Sequence, residues 1–195
     1  MAEKVDRRVR KTKAQLRAGL ARLMQKKSIK EITVKELVEE VDINRSTFYL
    51  HYTDIYQMLE SIEAELMEEI THLVADYPLD PLNNKESSYP FIEQIFTILD
   101  HKDICIALLG KNGDMAFVNR IEKLIADTVL HRLSIRLPKD NRDIEYAYAF
   151  CLNGCVGMIK TWLSSENQES TQHMAELTHK LIDNTTHMYL EQALR

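Results

Sequence analysis

Apolar residues recur along this chain at intervals of three and four, the period of a helix, and no stretch alternates apolar and polar residues as a strand does. Leu16, Leu20, Leu23 and Met24 form the first stripe. Arg10, Lys11, Lys13, Arg17 and Arg22 fill the rest of that helix, which Lys26-Lys27-Ser28 closes. Ile29 and Ile32 carry the apolar content on, and Val34, Leu37, Val38 and Val41 then predict a helix of about two turns. Its start is marked by Thr33 with Glu36 three residues later, an arrangement in which hydroxyl and carboxylate each take up a free backbone amide. Asp42-Ile43-Asn44 breaks the pattern, because Asp and Asn favour turns, and Asn44 or Arg45 can cap the next helix. That element, RSTFYLHY, is short and rich in hydroxyls and aromatics. Asp54 is the expected cap of a longer helix with Ile55, Met58, Leu59, Ile62, Leu66, Ile70 and Leu73 on one side.

Residues 77–90 hold three of the four prolines and predict a loop. Helices are expected over 90–101, 103–110 and 114–133, with the GKNGD run at Gly110–Asp114 as a turn. Leu137-Pro138 and the charged KDNRD segment separate these from two long C-terminal helices, so the fold class is all-α. The first of the last pair, beginning near Ile144, carries two apolar stripes. Ala147, Cys151, Gly154, Met158 and Trp162 share one; Tyr148, Leu152, Val156, Ile159 and Leu163 share the other. One stripe suits the subunit's own core and the other a partner subunit. Gly154 and Gly157 each cost about 1 kcal/mol in a helix interior, which close helix approach can offset. The final helix adds Met174, Leu177, Leu181, Thr185 and Met188. Together the pair predicts a four-helix homodimer interface built on Leu152, Val156, Ile159, Leu163, Leu177, Leu181 and Met188.

Composition narrows the class. In 195 residues, 45% hydrophobic and 28% charged, there is ample material for a core. No apolar run approaches the roughly 18 residues of a membrane span. The basic start MAEKVDRRVRKTK is followed by no apolar segment, so no signal peptide is expected. Three cysteines without a C-x-x-C argue against a secreted disulfide scaffold and for the reducing cytoplasm. The net charge of −5 conceals an asymmetry. Residues 1–54 hold 13 basic against 8 acidic side chains, and residues 55–195 hold 12 against 22. A basic module joined to an acidic body suits a nucleic-acid partner at the N-terminal end.

The segment from Thr33 to Asp54 then acquires a role. Two short helices about a tight turn, the second polar and aromatic, have the sequence shape of a helix-turn-helix. The first must bury its apolar face so that the second projects into the major groove of double-stranded DNA. Arg45, Ser46 and Thr47 place short donors where they can meet base edges, while Tyr49 and His51 can donate to phosphates. Phe48 and Tyr52 read chiefly as anchors. The candidate DNA-facing set is Lys13, Thr33, Arg45, Ser46, Thr47, Tyr49, His51 and Tyr52.

The run ITVKELVEEVDINRSTFYLHYTDIYQML resembles the DNA-binding segment of the TetR/AcrR family of bacterial transcriptional regulators. The likeness lies in the basic first helix, the Thr-capped second helix and the T-F-Y-x-H-[FY] recognition helix, and spans residues 7–62. The ALLGKNGD run and the late glycine-bearing helix ending near Trp162 resemble one subgroup of the family. The resemblance implies a helix-turn-helix DNA-binding domain over residues 1–53 and a helical effector-binding and dimerisation domain over 54–195. It further implies a homodimer on palindromic operator DNA, acting as a repressor and released by a small-molecule effector. Expected lining residues for the effector are Ile62, Leu66, Leu99, Cys105, Leu109, Phe117, Ile121, Tyr148 and Cys151. One departure stands out: the family's usual Lys at the start of the fourth helix, which approaches phosphate, is Ile55 here. That substitution favours an alternative in which the chain acts as a co-activator-like regulator through protein partners.

Enzyme chemistry finds no foothold. Cys151 and Cys155 stand at i, i+4, where small thiols suit tight packing as well as metal binding or oxidant sensing. The seven histidines form no H-E-x-x-H, and neither G-x-x-x-x-G-K-[ST] nor G-x-S-x-G occurs. No metal, cofactor, catalytic residue or membrane contact is expected.

Overall fold

The computed structural model describes residues 2–76, 89–100, 103–110, 112–136, 142–166 and 168–193. Among these the chain forms nine α-helices and no strand: α1 (Ala2–Lys26), α2 (Val34–Glu40), α3 (Arg45–Tyr49), α4 (Ile55–Asp76), α5 (Tyr89–Asp100), α6 (Asp103–Leu109), α7 (Met115–Arg136), α8 (Arg142–Leu163) and α9 (Thr171–Ala193). A short 3-10 helix over Ile29–Glu31 links α1 to α2. The greater part of the predicted loop, residues 77–88, lies outside the described residues.

Contacts gather the chain into two compact units. The first comprises residues 1–67 and 102–118, the second residues 68–101 and 119–195. This grouping cuts the chain elsewhere than at 53/54, because α6 packs on α1 and the first half of α4 belongs with the N-terminal helices.

In the first unit the stripe Leu16, Leu20, Leu23 and Met24 of α1 is buried with Leu37 and Val38 of α2 and with Ile55, Met58, Leu59, Ile62 and Leu66 of α4. Gly19 lets α1 and α2 approach closely, since a Cβ there would lie 2.2 Å from Val41 Cγ1. The α6–α7 turn fastens onto the end of α1. Asn112 Nδ2 donates to the carbonyls of Met24 at 3.2 Å and Gln25 at 3.4 Å, two last-turn groups with no partner inside their own helix. Asp114 Oδ1 accepts from Ala116 N at 2.7 Å and so starts α7.

In the second unit α9 packs against both α5 and α8. Phe96 of α5 meets Trp162 of α8 edge-on at 5.2 Å, and Trp162 Nε1 donates to the Glu169 carbonyl at 2.8 Å. No helix among the described residues is long and apolar enough to cross a membrane.

Candidate nucleic-acid interface

The helix-turn-helix is held at both sides of its turn. At the start of α2, Thr33 Oγ1 accepts from Glu36 N at 3.2 Å and Glu36 Oε2 accepts from Thr33 N at 3.0 Å, the reciprocal cap read in the sequence. Lys27 Nζ donates to Glu36 Oε1 at 2.5 Å. This hydrogen bond, with that from the Thr33 backbone, holds the Glu36 carboxyl down at about 2. The end of α2 is a Schellman turn. Ile43 N donates to Val38 O at 3.0 Å and Asp42 N to Glu39 O at 3.4 Å, with Asp42 in the left-handed region at φ 52°. One residue on, Asn44 opens α3: its Oδ1 accepts from Ser46 N at 2.9 Å and Ser46 Oγ at 2.8 Å. With three of its residues so fastened, the turn fixes the direction in which α3 leaves it.

Along α3 and the three residues after it the side chains divide by burial. Phe48 is fully buried and Tyr52 nearly so, 5.8 Å apart between ring centroids; these two pin the helix down. Arg45 and Ser46 are exposed, Thr47 and His51 half-buried, and Tyr49 is 47% exposed. Arg45 Nη2 donates to Tyr49 Oη at 3.0 Å. From α1, Lys13 Nζ stands 5.9 Å from the centre of the Tyr52 ring, bringing a cation beside the segment that follows α3. Arg17 pairs with Glu65, tying α1 to α4. Thr33 is exposed, its hydroxyl engaged by Glu36. Tyr52 therefore supports the helix from beneath, whereas Lys13, Thr33, Arg45, Ser46, Thr47, Tyr49 and His51 all keep some exposure. Exposed Leu50 and Tyr56 flank the same region, and neither belongs to the sequence-derived set. Ile55 is 4% exposed, a core residue at the start of α4, which is capped by Asp54 Oδ1 through Gln57 N at 2.8 Å.

Residues 86–184 match the TetR-type family described as "Transcriptional regulator C-terminal region". This chain is a TetR-family transcriptional regulator. Among curated proteins it is similar to the uncharacterized HTH-type transcriptional regulator YxbF of Bacillus subtilis (strain 168), 20% identical over 171 residues. That match takes in 87% of this chain and only 44% of YxbF, so the chain spans less than half the length of that relative. Two solved structures share the fold. A TetR transcriptional regulator from Streptococcus agalactiae 2603V aligns at TM-score 0.58 and 20% identity, over 93% of this chain and 99% of that one. The fatty acid degradation regulator FadR from Bacillus halodurans aligns at TM-score 0.67 and 10% identity, over 88% and 94%.

In this TetR-family chain the expected effector-lining residues fall in both units. Ile62, Leu66, Cys105 and Phe117 are buried and Leu109 half-buried in the first; Leu99 is buried and Ile121, Tyr148 and Cys151 half-buried in the second. Tyr148 Oη is buried and has no hydrogen-bond partner among the described residues. Burial, with the nearby Cys155 and Cys151, raises the Tyr148 hydroxyl well above its ordinary value. Burial also pushes the Cys155 thiol up to about 12 and raises Cys151, against a smaller opposing hydrogen bond with Thr185.

The residues expected at the dimer interface are placed unevenly. Leu163 is buried in its own unit, and Leu152, Val156 and Ile159 are half-buried; Leu177 and Leu181 are exposed. The Met188 side chain lies outside the described residues. The most exposed large apolar side chains of α8 are Tyr146 and Phe150, each 70% exposed, on the side that carries Gly154 and Gly157, whose missing Cβ atoms would meet open space. Of the two predicted stripes, Ala147, Trp162 and Leu163 are buried, Gly154 is exposed and the other members are half-buried.

Proposed function

We propose that this TetR-family regulator binds palindromic operator DNA as a homodimer, represses transcription there, and is released by a small-molecule effector. The observation that carries the reading is the presentation of α3: capped by Asn44, pinned by fully buried Phe48, and exposed at Arg45 and Ser46. On this reading Arg45, Ser46 and Thr47 face base edges, with Tyr49, His51, Thr33 and Lys13 towards the phosphates. Residues 1–53 read DNA, and residues 54–195 take up effector and partner subunit. Tyr146, Phe150, Leu177 and Leu181 give α8 and α9 an apolar surface that a second copy would cover. The buried Tyr148 hydroxyl fits an effector that is largely apolar with one hydrogen-bonding group.

A second reading, action through protein partners with little DNA binding, is favoured by Ile55, which puts a core side chain where the family resemblance implies a phosphate-facing Lys. Duplex retardation over a range of salt separates the two. A DNA-reading dimer loses affinity linearly in log–log form as counterions are released. Absence of salt-dependent duplex binding overturns the operator reading and supports the partner reading.

A further inference from the structure

Arg45 opens α3 and Tyr49 closes it, one turn on, and the two side chains are engaged twice. Besides the 3.0 Å hydrogen bond to the phenol oxygen, the guanidinium carbon lies 5.5 Å from the centre of the Tyr49 ring. The Tyr49 ring is itself held, standing edge-on to Phe48 at 5.4 Å and 85°. A line of contacts thus runs from a fully buried aromatic, through a half-exposed one, to the cation at the tip of the recognition helix.

An arginine on bare surface samples many rotamers, and ordering it on a base edge removes much of what its hydrogen bonds contribute. One already held by a neighbour loses less. The guanidinium has five N–H donors, and the bond to Tyr49 uses one, leaving others for the paired acceptors O6 and N7 of a guanine in the major groove. We infer that Tyr49 is a positioning residue for sequence readout: it holds Arg45 ready for one guanine in each operator half-site, and so sets base preference without touching a base. The inference rests on the DNA-binding reading above. It adds to a phosphate contact at Tyr49, because the hydroxyl that accepts from Arg45 still has its own proton to donate.

The two roles of Tyr49 respond differently to removal of the hydroxyl. If the hydroxyl serves only a phosphate, its removal weakens operator and random duplex alike. If it also positions Arg45, its removal weakens the operator more than random duplex, and the excess falls at the base pair Arg45 reads. The test is competition between selected operator and random duplexes, using the full chain as wild type, Tyr49→Phe, Arg45→Ala and the double variant. Thermal melting establishes that each is folded. Tyr49→Phe is expected to lower the operator-to-random ratio about three- to tenfold, relaxing preference at the same base pair as Arg45→Ala. The double variant should then discriminate no worse than Arg45→Ala alone, and the salt slope of Tyr49→Phe on random duplex should match wild type. The inference is overturned if Tyr49→Phe leaves the ratio unchanged or if the two effects multiply in the double variant. Failure of the wild type to bind any duplex in a salt-dependent way would instead remove the DNA-binding reading, and this inference with it.

Discussion

Asp42 is the one described non-glycine residue with positive φ, and it occupies the C′ position of the Schellman turn that ends α2. A left-handed conformation is tolerated by Asp and natural to Gly. Asp42→Gly should therefore raise stability by about 0.5–1 kcal/mol and Asp42→Val lower it by more than that, as read from denaturant midpoints. Glu36 supplies a pH test at the other end of the same helix. Its folded-state value of about 2 lies below the ordinary 4.5, so its contribution is complete above roughly pH 4.5 and is withdrawn as pH falls towards 2. Glu36→Gln should flatten the acid limb of the stability profile in that window; an unchanged limb would mean the carboxylate charge beside Lys27 adds nothing. The Cys155 thiol, pushed up to about 12, stays protonated at neutral pH and should alkylate far more slowly than a free thiol. Capping residues were legible in the sequence because each acts within three residues of itself: Thr33 with Glu36, Asn44 with Ser46, Asp54 with Gln57. The Arg45–Tyr49 pair was present at the same short range, yet spacing alone does not reveal whether two side chains turn towards each other.

Helix existence was readable from period and caps, and the α4 stripe from Ile55 to Leu73 is buried along its whole length. What a given face packs against was not readable. On α8, two apolar stripes suggest two partners, and their residues are buried or half-buried apart from Gly154. Tyr146 and Phe150 escape a stripe-based reading because they lie on the opposite side, among Asn153, Gly154, Gly157 and Thr161. The GKNGD turn is another case. Gly113 has ordinary φ, and space is what it supplies: a Cβ would lie 1.8 Å from the Leu108 carbonyl oxygen. Gly113→Ala should cost at least about 2 kcal/mol. Asn112→Ala should cost about 1 kcal/mol, and Asn112→Asp more, since a carboxylate would face the carbonyl end of α1. Thermal melting of the three variants checks the order; an Asp variant as stable as the Ala variant would deny that the amide caps α1.

For the whole molecule, the proposal gives the basic N-terminal helices and the acidic remainder separate tasks, and has a second copy cover the exposed apolar side chains of α8 and α9. Phe150→Glu combined with Leu181→Glu should convert a dimer to a monomer in sedimentation and lower operator affinity while leaving the helix content of α1–α3 in place. The TetR-family resemblance was legible because its motif lies within the short run from Thr33 to Tyr52; the exposure of Tyr146 and Phe150 was not, because it depends on which side of α8 its own unit leaves bare. The central proposition is that α3 reads DNA twice per assembly. Selection of bound duplexes from a random pool addresses it most directly: the enriched sites should be inverted repeats whose half-site centres lie about one helical turn, roughly 10 base pairs, or a multiple of it apart. Enrichment of single, unrepeated sites, or no enrichment at all, would contradict it.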